Sequence, residues 1–158
     1  MIKRWSTFNE NTSNSKEIIS SKFLEVREVF LDFEDMGIIS YSMVSSDFER
    51  GGRAHHRSGY ISFDPKVGDI NRFLDFQLPT LTVTSKKLEK VCIIVDIKLP
   101  GESNEFGSTV IGNEGIRLFD DMLTANSRLI EAGYDVKLDL NASHAKYKPV
   151  KFLIYFDL

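Results

Sequence analysis

The chain predicts an α+β protein: a two-layer sandwich with two main helices on a mainly antiparallel sheet of five or six strands. Three observations carry this. Ile19, Phe23, Val26, Phe30 and Phe33 recur at spacings of four and three, which makes one apolar helical stripe. Val91, Ile93, Val95, Ile97 and Leu99 alternate along VCIIVDIKL and make one face of a strand. Finally, an amphipathic helix that ends at a glycine and hands over to an alternating strand occurs twice, around Gly37 and around Gly133.

Each element follows from local signals. Residues 1–13, rich in Asn, Ser and Thr with Trp5 and Phe8 as apolar points, read as a flexible tail ahead of one domain over 14–158. Asn14 offers a cap with Glu17 three residues on, so the first helix is expected over about 15–36. Strands are expected at about 38–47 and 58–64, joined by the loop from Glu49 to Arg57. Asp69 caps a short helix carrying Ile70, Phe73 and Leu74, which Pro79 closes. Leu81 and Val83 alternate with Thr and predict one arm of a hairpin whose other arm is VCIIVDIKL, the turn being SKKLEK. On that second arm Cys92 and Ile94 face away from the main apolar row, as expected of a central strand covered on both sides at that end. A glycine-rich loop over 101–113 leads to a second helix at about 114–132, and strands at about 134–141 and 150–157 finish the chain.

The two halves share the order helix, strand, strand, each return reading Ile-X-Phe-Asp at 61–64 and at 154–157. Placing Gly37 on Gly133 keeps the helical stripe in register, Phe23 on Phe119, Val26 on Met122, Val29 on Ala125 and Phe33 on Leu129. The strands fall one residue out of phase, with Ile39, Tyr41 and Met43 against Val136, Leu138 and Leu140. A slip of one residue exchanges sheet faces, so either a bulge intervenes or the repeat is a recurring supersecondary motif.

Composition narrows the function classes. At 158 residues with 42% apolar residues the chain can bury one core. No apolar run approaches a membrane span and the polar start lacks a signal-peptide centre, which with the lone Cys92 predicts a cytoplasmic chain whose cysteine is a buried hydrophobe. A net charge of −3 with interspersed signs leaves no global field for nucleic acid, so anion binding would be local.

Four constellations bear on chemistry. The segment RGGRAHHRSG gathers Arg50, Arg53, His55, His56 and Arg57 without an acid, and the corresponding later loop holds His144, Lys146 and Lys148. Arg forks and flexible glycines suit phosphate, so these eight residues form a candidate anion or nucleic-acid site. His56-Arg57-Ser58 resembles one half of the phosphoesterases that carry two His-X-Ser/Thr motifs. His144-Ala145-Lys146 lacks the second hydroxyl, so no catalytic residue is assigned. Gly107 to Gly115 spaces its first two glycines as a phosphate-binding loop does, but Asn113 and Glu114 replace the lysine and hydroxyl that hold phosphate and magnesium, which predicts a structural loop. Asp32, Glu34 and Asp35 sit where a helix C-terminus disfavours negative charge, and a solvated helix end is expected there, with compensation by the arginine loop, a basic partner or a metal as the alternative. No cofactor or metal site is expected.

The opening Met1-Ile2-Lys3-Arg4-Trp5-Ser6-Thr7-Phe8-Asn9-Glu10, followed by a helix ending in Leu31-Asp32-Phe33-Glu34-Asp35-Met36-Gly37 and then a strand, resembles small uncharacterised proteins of tailed bacteriophages. It covers about the first quarter of the chain, carries over no functional residue, and implies action in a host cytoplasm. The reading that follows is a non-enzymatic binding or assembly protein working through protein–protein contacts or self-association, with a nucleic-acid or phosphate-ligand binder second and the phosphoesterase third.

Overall fold

The structure, a computed structural model, describes residues 2–45, 62–66, 68–84, 90–103, 105–106, 109–139 and 148–158. Its elements are α1 (Ile2–Val29), α2 (Leu31–Met36), β1 (Ile39–Ser45), α3 (Ile70–Thr84), β2 (Lys90–Leu99), β3 (Gly101–Ser103), β4 (Thr109–Ile111), α4 (Asn113–Glu131), β5 (Asp135–Asp139) and β6 (Lys148–Asp157). The α+β class stands, with a four-stranded antiparallel sheet ordered β1-β2-β6-β5 and a separate two-stranded pair, β3-β4.

The sheet's helix-facing side is built from rows that cross all four strands. Tyr41 pairs with Val95, Val95 with Phe152, and Phe152 with Leu138. The next row runs Met43, Ile93, Ile154, Val136. Both rows belong to one apolar core together with the α1 stripe Ile19, Phe23, Val26 and Phe30. Phe30 meets Phe152 edge-on at 5.1 Å between ring centroids, and Phe23 meets Tyr41 at 5.5 Å, so α1 sits across the middle of the sheet. On the opposite face Cys92, Ile94 and Tyr155 form a smaller buried cluster, in which Cys92 packs as a small apolar side chain outside any disulfide.

The helix-strand-strand order recurs, but with a different partner than the local sequence suggests. β1 is an outer strand pairing with β2, and β5 is the other outer strand pairing with β6. The first copy's return strand is therefore β2, reached after α3, while the Ile-X-Phe-Asp segment at 61–64 contributes one bridge, Phe63 to Tyr41. The pairing of β5 with β6 is uninterrupted from Asp135 to Asp139, so no bulge in that strand explains the phase difference. The helix exit explains it instead. Gly37 and Gly133 both take positive φ, 68° and 94°. After Gly133 the N–H of Tyr134 still bonds Leu129 O at 3.1 Å and its ring enters the core, so the next core-facing residue is Val136; after Gly37 the strand starts at once, with Ile38 O accepting from Lys98 N–H at 2.9 Å.

Four local expectations are corrected. The helix starts at Ile2, not near residue 15, so Asn14 lies within α1 and residues 2–13, read as a tail, have helical backbone. Extending a formed helix adds one hydrogen bond per residue fixed, which outweighs a cap signal at Asn14. The helix expected to run to 36 is divided at Phe30, whose ψ of 12° separates α1 from α2 while its side chain keeps the stripe intact. The short helix after Asp69 continues through Pro79 to Thr84, so Leu81 and Val83 are helical and not a strand. Leu74, Leu78 and Leu81 are all buried at helical spacing, and that stripe prevails over the Leu-Thr-Val-Thr alternation. The glycine-rich loop over 101–113 contains the β3-β4 pair.

Candidate functional site

Most of the basic candidate site falls outside the described residues: Arg50, Arg53, His55, His56, Arg57, His144 and Lys146, and with them the histidines of the phosphoesterase reading. Lys148 opens β6 opposite Leu99. The segment holding the arginines leaves β1 after Ser45, which pairs with Val91. Val91 and Leu99 are eight positions apart on β2, roughly 26 Å at 3.3 Å per residue. The described anchors of the two basic segments are thus at opposite ends of the sheet.

The acidic helix end finds its compensation inside the fold. Because the chain turns at Phe30, Asp32 and Glu34 fall in the first turn of α2, where negative charge is favoured. Arg27 then grips Glu34 with two bonds, Nε to Oε1 at 2.7 Å and an η nitrogen to Oε2 at 3.0 Å, and Tyr41 donates its hydroxyl to Oε1 at 2.8 Å. The hydrogen bonds to Glu34 outweigh the desolvation of Arg27 and raise its pKa, while burial first and the bond to Glu34 second push the Tyr41 phenol far above its ordinary value. This is a structural clamp between α1, α2 and β1, and neither Arg27 nor Tyr41 is poised to exchange a proton near neutrality.

Of the loop that resembles a phosphate-binding loop, Gly107 and Ser108 lie outside the described residues, while Gly112 and Gly115 lie within them. Gly112 precedes α4 without a side-chain cap, and Gly115 is buried where an added Cβ would lie 2.3 Å from Ile111 Cγ2. The glycine lets α4 pack on β4. Among the described residues no group of three or more His, Cys, Asp or Glu side chains is placed to hold a metal, and no helix is long and apolar enough to cross a membrane. A shallow cleft of about 340 Å³ beside Phe63, Phe73, Phe76 and Arg72 holds the carboxylates of Asp64 and Asp69, both engaged by backbone N–H groups, of Lys66 and Asn71 respectively.

What the fold does present is an asymmetric pair of sheet edges, β1 and β5. Tyr41 exchanges two bonds with Phe63 on the outer side of β1, N to O at 2.9 Å and O to N at 2.7 Å. In an antiparallel ladder the backbone groups of alternate residues point the same way. Tyr41 and Met43 therefore point outward and Ser42 inward, toward β2. Met43 O accepts the buried Gln77 side-chain N–H at 2.9 Å. The β1 edge is thus closed by Phe63 and α3.

Carrying the same alternation through β2 and β6 fixes the other edge. Ser42 is bonded to Ile94, so Ile93 and Val95 face β6; their partners Ile154 and Phe152 face β2, and Leu153 and Tyr155 face β5. Lys137 and Asp135 of β5 then turn toward β6, while the N–H and C=O groups of Val136 and Leu138 point outward. Among the described residues nothing pairs with them. Asp135 and Lys137 are exposed and Val136 and Leu138 half-buried, so this edge is polar outside and apolar toward the helices, and among the described residues no strand lies beyond it. No signal local to DVKLD marks it, since any strand has two edges and only the strand order decides which is free.

The chain matches no protein-family model, no curated protein and no solved structure.

Proposed function

We propose that this chain is a non-enzymatic binding or assembly protein that works through protein–protein contacts, and that the outer edge of β5 is where a partner adds an extended strand. The observation that carries this reading is the contrast between a β1 edge closed by Phe63 and Gln77 and a β5 edge whose Val136 and Leu138 backbone groups have no partner among the described residues. An open edge is a template for strand addition, in which main-chain bonds supply affinity and alternate side chains supply selectivity. Encoded by a phage, as the opening residues suggest, such a protein would assemble in a host cytoplasm.

The test uses a proline as an edge stop. Val136→Pro removes an N–H that points away from β6, so the fold is kept and strand addition is blocked. Peptides of about ten residues selected from a random displayed library against the unmodified protein are expected to bind Val136→Pro at least tenfold more weakly, at a melting temperature lowered by no more than about 4 °C. Selected peptides that bind both proteins equally would sink the reading.

A further inference from the structure

We propose that the strand completing the β5 edge is β5 of a second copy, antiparallel and centred on Leu138, so that two four-stranded sheets join into one of eight strands. This rests on the edge-addition function proposed above and names its partner. The argument is one of register. Two-fold pairing must set outward-facing residues opposite one another, which over β5 leaves three arrangements: Val136 opposite Val136, Val136 opposite Leu138, or Leu138 opposite Leu138.

Side-chain charge separates them. With Val136 opposite Leu138, Lys137 meets Lys137 of the second copy and Asp135 meets Asp139, so every charged pair is of like sign. With Val136 opposite itself, Asp135 meets Lys137 favourably, but the next bonded pair would need Tyr134, whose N–H is already spent on Leu129 O at 3.1 Å in ending α4. With Leu138 opposite itself, Lys137 of each copy faces Asp139 of the other, two opposite-charge pairs related by the two-fold axis, and no pair between described residues calls on Tyr134. Lys137 is exposed and its ammonium lies over the Tyr155 ring, 5.0 Å from the centroid, on the outer face that Asp139 shares. On the helix-facing side the row Tyr41, Val95, Phe152, Leu138 continues into Leu138 of the second copy, covering apolar surface that is half-exposed in one chain.

An edge this short makes a small interface, so a weak, rapidly exchanging dimer is expected and sedimentation must reach high concentration, from about 10 µM to about 1 mM. Lys137→Glu alone and Asp139→Lys alone should each weaken self-association at least tenfold, because each turns both charge pairs repulsive. Mixing the two variants should produce a heterodimer, and the double variant Lys137→Glu/Asp139→Lys should dimerise like the unmodified chain, which keeps the test decisive if a single variant folds poorly. A monomer throughout the range overturns the proposal. So does a dimer indifferent to both single changes, or one weakened by Asp135→Lys and not by Asp139→Lys, which would mark the Val136-centred register. If the unmodified chain is monomeric while selected peptides still require the unblocked edge, the self-pairing fails and the edge-binding function stands; if the edge takes neither, both fail.

Discussion

The two outer strands of the sheet follow the same kind of helix exit, yet β1 is sealed while β5 has no strand beyond it among the described residues. At β1, Tyr41 gives both outward backbone groups to Phe63 and Met43 gives its carbonyl to Gln77. At β5, Val136 and Leu138 occupy matching positions in the same two cross-sheet rows without such a cover among the described residues. The chain has closed one edge with its own long insertion between β1 and β2, which contains Phe63 and α3; the corresponding connection from β5 to β6 is eight residues long, from 140 to 147. A recurring helix-strand-strand unit has thus been made unequal by what lies between its strands.

The largest expected effect comes from breaking the sealed edge. Phe63 is buried, its ring stacks on Phe73 at 5.1 Å and lies 6.2 Å from Tyr41, and Arg27 sits over it at 5.9 Å. Phe63→Ala should cost about 3–4 kcal/mol, read from denaturant unfolding, since a large buried ring is lost without a neighbour free to fill the space. A loss under about 1 kcal/mol would mean that the Phe63 segment decorates β1 and does not close it.

A pair of prolines sharpens the contrast on the open side. Lys137→Pro deletes an N–H that serves the ladder to β6 and should cost about 3 kcal/mol or more, whereas Val136→Pro deletes one that faces outward and should cost about 1 kcal/mol or less. The side chains argue the opposite order, because Val136 is the more buried of the two and packs against the core. If Val136→Pro proves the worse variant, the assignment of outward-facing residues on β5 is wrong.

How much of this was legible in the sequence depends on the range of the interaction. The stripe from Ile19 to Phe33 and the alternation along β2 are local periodicities, and both appear as read. Leu81 was ambiguous because it satisfies two periods at once, and only the buried neighbours Leu74 and Leu78 decide for the helix. Arg27 was missed as the partner of Glu34 because a continuous helix would set them seven residues apart along one side, beyond bonding reach; the turn at Phe30 brings them to 2.7 Å. The pairing of β1 with β2 and the open edge of β5 were out of reach for a different reason: neighbouring strands are chosen by how whole faces stack, which no window of sequence contains.

The smallest effect lies on the row that joins the two edges across the outer face, where Ser40 pairs with Asp96, Asp96 with Lys151 and Lys151 with Asp139. Asp96 Oδ1 is buried, Lys151 Nζ is 3.7 Å away, too far for a hydrogen bond, and no other group among the described residues bonds it. Burial therefore raises the Asp96 pKa above the ordinary carboxylate value despite the attraction of Lys151 and Lys98, with Asp139 adding to the rise. The folded chain then holds this proton more tightly than the unfolded chain does. Stability from this group is greatest below the unfolded pKa, falls as pH climbs through the raised folded pKa, and stays low above it. Asp96→Asn removes that fall, so the difference in unfolding free energy, variant minus parent, should grow as pH rises from below the ordinary carboxylate pKa and level off once pH has passed the raised one. A difference that instead shrinks with rising pH would mean that Lys151 holds Asp96 charged in the fold, and that this row ties the closed edge to the open one by an ion pair the chain depends on.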